Sequence, residues 1–196
     1  MDDHIGAEIV AGTITSKQDA LDYLTWTYFY RRLQQNPTYY GLEDASQGGV
    51  DAFLSQTIND VVSRLEESGC VEVIDGFELE PTISSRIASY YYLRHQTLRH
   101  MRQTVKADSQ FEDLLSILSN VPEYSELPVR CNEDLLNREI EKDVMYPVQT
   151  MESYISPHVK AYVLLQAHFA RLPLPISDYI TDQITVMDSA IRFCQV

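Results

Sequence analysis

The sequence predicts a mainly α-helical chain in two parts: three helices closed by a β-hairpin, then a wholly helical remainder. Three observations predict it. Val50, Phe53, Leu54, Thr57, Ile58, Val61, Val62 and Leu65 recur at i, i+3, i+4 spacing, the cleanest amphipathic helical pattern in the chain. Two short strand-like runs, Cys70 to Ile74 and Phe77 to Leu79, are joined by Asp75-Gly76, a dipeptide that suits the tight primed hairpin turn. Beyond Glu80-Pro81 the apolar residues fall at helical spacing, punctuated by prolines and polar caps.

Taken in order, His4 to Val10 reads as a short first helix. Ser16, with Asp19 three residues on, is the expected N-cap of an aromatic helix running to about Gln35. That helix is apolar on nearly all sides: Leu21, Leu24 and Tyr28 form one row, and Trp26, Phe29 or Tyr30, and Leu33 another. Such a helix is expected between two layers, with Trp26 substantially buried. Asn36-Pro37 stops it, because a residue before proline avoids the helical region. The helix of Val50–Leu65 ends at Ser68-Gly69, and the hairpin follows. Three helices and a two-stranded wing make a winged-helix pattern, here residues 1–80.

The remainder, 81–196, is read as a helical bundle. Ile83, Ile87, Tyr90 or Tyr91, Leu98, Met101 and Val105 mark one helix from about Ser85 to Lys106. Ser109-Gln110-Phe111-Glu112 is expected as a capping box that opens a helix to Asn120. Pro122 to Pro128 is a connector, and Asn132 to Val144 a shorter helix. Pro157 suits the first position of a helix through Arg171. Ile180, Ile184, Met187, Ile191 and Cys194 form a row in a last helix, expected to turn inward. That row is still apolar near Val196, so the natural protein is expected to continue.

Composition bounds the function. The 196 residues suffice for one domain or two small ones with a proper core. The net charge of −14 argues against a stand-alone nucleic-acid binder, although a local patch stays open. Charge is uneven: residues 1–80 hold 15 acids and 4 bases, residues 81–196 hold 14 and 11. Cys70, Cys131 and Cys194 lack any ligand spacing and read as reduced core thiols of a cytosolic or nuclear protein. No apolar run reaches about 18 residues, so no membrane span is expected. The N-terminus lacks the regions of a signal peptide.

Catalytic motifs are absent. The chain has no GxxxxGK[ST] phosphate loop, GxSxG, HExxH or GxGxxG, so no ATP hydrolysis is expected from it. His158 and His168 stand ten apart, which is no ligand spacing, and read as structural. Cys131 beside Arg130 reads as an inert thiol in preference to an activated thiolate. Glu66-Glu67 and Glu133-Asp134 read as a solvated face and a helix first turn.

One charge pattern stands out. From Pro81 to Ala107 there is no acid, yet Arg86, Arg94, Arg99, Arg102 and Lys106 occur with His95 and His100. On one continuous helix Arg94 and Arg102 would share a face beside His95, Arg99 and Lys106. Two readings stand: a basic helix against the acidic first part, favoured by that part's charge, or a strip touching nucleic-acid backbone. In the winged part, Asp51, Asp60, Glu66 and Glu67 surround a single Arg64, the opposite of what groove reading needs. That winged helix is expected to be a protein–protein spacer.

Several long stretches carry a resemblance. AEIVAGTITSKQDALDYLTWTYFYRRLQQNPTYYGL resembles the region after the second motor lobe of Ski2-like superfamily 2 helicases with tandem cassettes. ISSRIASYYYL, LLSILSNVPEYSELPVRCNED and SPHVKAYVLLQAHFARLPLP resemble successive parts of the Sec63 domain in the same proteins. The resemblance runs from about Ala7 to Val196. It implies a winged helix followed by the first part of a Sec63-type ratchet bundle, truncated at the C-terminus. It further implies a non-catalytic accessory region of an ATP-dependent 3′→5′ helicase, bracing RecA-like motor lobes of the same chain and helping to enclose a single strand. ATP and Mg would belong to those lobes; no cofactor is expected in this chain. Other subunits of a multiprotein complex are implied partners, and a nuclear or cytoplasmic setting is implied.

The helix Thr181–Val196 matches the start of the family's ratchet helix, which places Thr185 and Arg192 at its strand-facing positions. Cys131 stands where relatives usually carry histidine. Two alternatives stay open: an interaction scaffold in a degenerate cassette, and a free-standing DNA-binding winged helix, against which the acidic wing helix weighs.

Overall fold

The structure is a computed structural model and describes residues 1–148 and 153–195. Backbone contacts divide the chain into two compact units, Met1–His95 and Gln96–Val196. Both are predominantly helical, with a single two-stranded antiparallel sheet among the described residues.

In the first unit, α1 (Asp2–Ala11), α2 (Lys17–Thr25), α3 (Tyr28–Gln35) and α4 (Gln47–Glu67) precede β1 (Val71–Ile74) and β2 (Glu78–Pro81), and α5 (Ile83–Tyr91) follows. The Ser16 hydroxyl accepts the Asp19 N–H at 3.1 Å and caps α2. The Asp19 carboxylate in turn takes the backbone and hydroxyl of Thr15, at 3.0 and 2.7 Å. In α4 the apolar row turns inward as its period requires: Val50, Leu54, Ile58, Val61, Val62 and Leu65 are buried. Its first turn needs glycine, since a Cβ on Gly49 would stand 2.1 Å from the Asp44 carbonyl oxygen.

The hairpin turns at Asp75 and Gly76, both at positive φ (50° and 81°), as a primed turn demands. The other edge of β2 is covered, because the Leu79 N–H donates to the Thr15 carbonyl at 2.9 Å and the Lys17 N–H to Phe77 at 2.9 Å. The segment before α2 thus joins the wing and covers that edge of β2. Helix α5 packs on α1 and β2, which is why the first unit extends through it.

Two expectations fail in this unit. The aromatic helix is not continuous: α2 ends at Thr25 with Trp26 as its cap, and Thr27 is extended (φ −85°, ψ 160°) before α3 begins. The Thr25 and Thr27 hydroxyls donate back to the Asp22 and Leu24 carbonyls, at 2.7 and 2.6 Å. Such local side-chain bonds compete with a helical ladder. Trp26 stands before the break, on the side of α2 away from buried Ala20 and Leu24, and is 89% exposed; Tyr28, after the break, is 72% exposed, while Leu24 and Leu33 stay inside. Trp26 is therefore a surface residue, not a core one.

The expected Ser85–Lys106 helix is likewise two. Tyr92 ends α5 in the left-handed region (φ 56°), and α6 (His95–Thr104) starts afresh. His95 is buried, its ring nitrogen 2.7 Å from the Ser68 hydroxyl, and its backbone N–H donates to Asp3 at 2.8 Å.

The second unit is built around α9 (Pro157–Ala170), with α7 (Phe111–Ser119), α8 (Glu133–Glu141) and α10 (Ser177–Phe193) against it. Every residue from Val159 to Ala167 in α9 is buried. This helix, not the aromatic one, is surrounded on all sides. Pro157 occupies its first turn behind the Ser156 cap. The capping box of α7 is Gln110 with Asp113, one residue on from the expected Ser109 and Glu112 pair. Cys70 is a core thiol, but Cys131 and Cys194 are exposed. The expectation for Val196 falls outside the described residues.

Candidate functional site

The residues singled out as strand-facing lie on different elements. Thr185 and Arg192 are on α10 in the second unit. Thr185 is exposed, its hydroxyl donating to the Thr181 carbonyl at 3.1 Å. Arg192 is half-buried and donates to the Ser189 hydroxyl at 3.3 Å. Thr181 and Asp188 are exposed on the same strip. Arg102 is exposed on α6, whereas Arg94 lies in the loop before α6 and belongs to the first unit. His95 is internal, and His100 turns its Nε2 to the Ile117 carbonyl at 3.1 Å, so neither histidine extends a basic strip.

Helix α10 itself is turned differently from expectation. The buried row is Tyr179, Asp182, Val186, Ala190 and Phe193. Ile180, Ile184 and Ile191, expected inward, are 52%, 57% and 58% exposed, and Cys194 is exposed too. The inward row meets a buried charge that periodicity cannot place. Lys160, fully buried on α9, donates to Asp182 at 2.7 Å, to Glu133 on α8 at 2.6 Å, and to the Pro128 carbonyl at 2.8 Å. Its three N–H bonds are thereby all used.

Arg130 closes the cluster from the surface, 2.9 Å from Glu133 and 2.7 Å from Asp182. Tyr179, with no exposure, stacks 4.7 Å from the Lys160 ammonium and donates to Asn137 at 2.8 Å. Burial pushes the Glu133 and Asp182 carboxyls up, but the bonds from Lys160 and Arg130 outweigh it and hold both below the usual carboxylate range. Burial, with the two carboxylates beside it, raises the Tyr179 hydroxyl well above its ordinary value.

Sequence reasoning missed this cluster. Glu133 read as a helix-turn acid, yet it is 2% exposed and ion-paired. One signal was present: Lys160 is the single charge between Val159 and Leu165, a run otherwise apolar. A lysine there is either exposed on a helix flank or paired inside, and period alone does not decide. Arg130 is committed to carboxylates, and the adjacent Cys131 is exposed. His158 bonds the Ser119 carbonyl (2.9 Å) and Ser125 (3.2 Å), a structural role. Among the described residues no group of His, Cys, Asp or Glu is arranged to hold a metal, and no helix is long and apolar enough to cross a membrane.

The fold therefore pairs a winged helix with a helical bundle whose interior is clamped by ions. Residues 81–196 match the Sec63 Brl domain family, and residues 1–75 match a winged helix-turn-helix domain. The chain belongs to the Sec63 Brl family and carries the winged-helix and Sec63 region found in Ski2-like helicases. It is 52% identical over 197 residues to the activating signal cointegrator 1 complex subunit 3 of Homo sapiens, covering 100% of this chain and 9% of that protein. Against the RQC trigger complex helicase SLH1 of Saccharomyces cerevisiae the identity is 44% over 202 residues, covering 100% of this chain and 10% of the relative. The DExH-box ATP-dependent RNA helicase DExH14 of Arabidopsis thaliana is 46% identical over 193 residues, 98% of this chain and 9% of its own length. The chain spans about a tenth of the length of these relatives.

Proposed function

We propose that the chain is a non-catalytic accessory region of an ATP-dependent 3′→5′ nucleic-acid helicase. Its winged helix, residues 1–80, braces RecA-like motor lobes of the same protein, and its Sec63 part, residues 81–196, helps enclose the translocating strand. The observation that carries this reading is the match of the whole chain, both domains in order, to proteins named as helicases. ATP and Mg would act in the motor lobes. The strand would be met by α10 through Thr185 and Arg192, where a guanidinium pairs with phosphate or stacks on a base; Arg94 and Arg102 would add backbone contacts.

The exposure of Trp26, Tyr28, Tyr39, Arg31 and Arg32, with the Arg32 guanidinium 5.9 Å from the Tyr39 ring, supports docking onto another body, since Trp, Tyr and Arg are the residues that anchor interfaces. Relatives are named as a complex subunit and as a trigger-complex helicase, in keeping with further subunits as partners and a nuclear or cytoplasmic setting.

The test is unwinding by the full-length helicase carrying Arg192→Ala, with strand affinity measured at low salt. A loss of both is expected; unchanged unwinding and affinity would reduce α10 to packing. One observation favours the second reading, a protein-interaction scaffold in a degenerate cassette: Asp188 lies within the strip that would meet phosphates. An Arg192→Ala protein that unwinds normally, together with a Trp26→Ala protein that loses partner subunits, would select it.

A further inference from the structure

Helix α10 carries two rows that could each face a core. One is Tyr179, Asp182, Val186, Ala190 and Phe193; the other is Ile180, Ile184, Met187 and Ile191, about 100° around the helix axis. Apolar area alone does not choose between them: the first row sets Tyr179, Val186 and Phe193 beside a carboxylate and a small alanine, the second sets three isoleucines and a methionine. The structure turns the first row inward. What distinguishes that row is polar and specific: the Lys160–Asp182 pair at 2.7 Å, the Tyr179 bond to Asn137 at 2.8 Å, and the Tyr124 hydroxyl donating to the Val186 carbonyl at 2.8 Å. Of these, the Lys160 pair is the one that would leave a buried charge short of a partner if α10 rotated. The same ammonium also binds Glu133 on α8, so it ties three helices at one point.

We infer that Lys160 is a positioning residue: held between Glu133 and Asp182, it selects which face of α10 turns inward and so sets the direction in which Thr185 and Arg192 point. With the observed row inward, the strip of Thr181, Thr185, Asp188 and Arg192 lies on the outer side of the helix. With the isoleucine row inward, the strip would swing toward the flank of the bundle. The orientation of the helix stands on the geometry alone; its consequence for a strand rests on the accessory-helicase reading.

The experiment reads orientation directly. Ile184→Cys and Val186→Cys are introduced separately into the full 196-residue chain, treated with a water-soluble maleimide, and the label located by mass spectrometry. With Lys160 present, position 184 is expected to react fast and position 186 to be protected. Lys160→Met is expected to lower the 184-to-186 labelling ratio about tenfold or more, as the rotated setting becomes populated. A folded Lys160→Met chain that keeps the original ratio overturns the inference. Should that variant not fold, Lys160→Met/Glu133→Gln/Asp182→Asn, free of buried charge, takes the same labels, and a protected position 186 there overturns it equally. In the full-length helicase, Lys160→Met is expected to cut unwinding several-fold while strand-independent ATP hydrolysis stays. A shifted labelling ratio with unchanged unwinding would uphold the positioning role of Lys160 and refute the strand-facing role of α10.

Discussion

The two units handle charge in opposite ways, and α4 and α10 display the difference. In the first unit the core around α4 is apolar, and its Arg64 meets Asp2 at the rim, with side chains 47% and 18% exposed. In the second unit a lysine and two carboxylates sit inside, satisfied by one another and by a backbone carbonyl. Where charges stay outside, hydrophobic period decides which face of a helix is buried. Where a charge has a partner inside, the pair can outvote the period. A broken pair of this kind is costly, while a pair replaced whole by neutral groups is often close to neutral.

The comparison is broken most severely at Lys160. Lys160→Met is expected to destabilise the second unit by about 3–5 kcal/mol, since it leaves two adjacent buried carboxylates with Arg130, at the surface, as their one cationic partner among the described residues. Urea unfolding followed by circular dichroism measures it. The neutral variant Lys160→Met/Glu133→Gln/Asp182→Asn is expected to recover most of the loss; a triple variant as weak as the single one would mean the cluster acts through packing and not charge.

The two helices can then be set against each other with one type of substitution. Ile58→Ala in α4 is expected to cost about 2–5 kcal/mol, because Ile58 is 1% exposed. Ile184→Ala in α10, where the residue is 57% exposed, is expected to stay within about 0.5 kcal/mol. Equal effects at the two sites would show that the isoleucine row of α10 is buried after all.

Acid sharpens the contrast. Glu133 and Asp182 have folded pKa values below their ordinary values of 4.5 and 3.8. Each therefore contributes stability that is present above those ordinary values and is lost as pH falls through the lower, folded ones. Thermal melts between pH 5 and pH 2 are expected to show the second unit losing stability first. The rim pair is a weaker acid sensor: hydrogen bonds from Arg64 lower the Asp2 carboxyl against burial, but the arginine is half in water. A first unit that melts before the second in acid would contradict this order.

The smallest effects belong to the surface of the first unit. Arg64→Ala is expected to cost about 0.2–1 kcal/mol, and less in high salt. Trp26→Ala is expected to change stability by no more than about 0.5 kcal/mol, since the ring is 89% exposed. A loss of several kcal/mol at Trp26 in the isolated chain would restore the buried-layer expectation.

Much of the architecture was legible in the sequence because it is local. The Ser16 cap, the period of α4, the Asp75-Gly76 turn and Pro157 at the start of α9 each depend on residues within a few positions, and propensity and sterics act at that range. The two misjudged helices have local causes too, but weaker ones. Two threonine hydroxyls at Thr25 and Thr27, and a left-handed tyrosine at Tyr92, interrupt patterns that remain apolar on both sides. The candidate strip on α10 was legible as residue types, Thr185 and Arg192, but not as a direction. That direction depends on Lys160 reaching Glu133 and Asp182, 27 and 22 residues away along the chain. A buried charge has no preferred face of its own; it goes inward only where the fold supplies its partner, and only the tertiary structure can supply one.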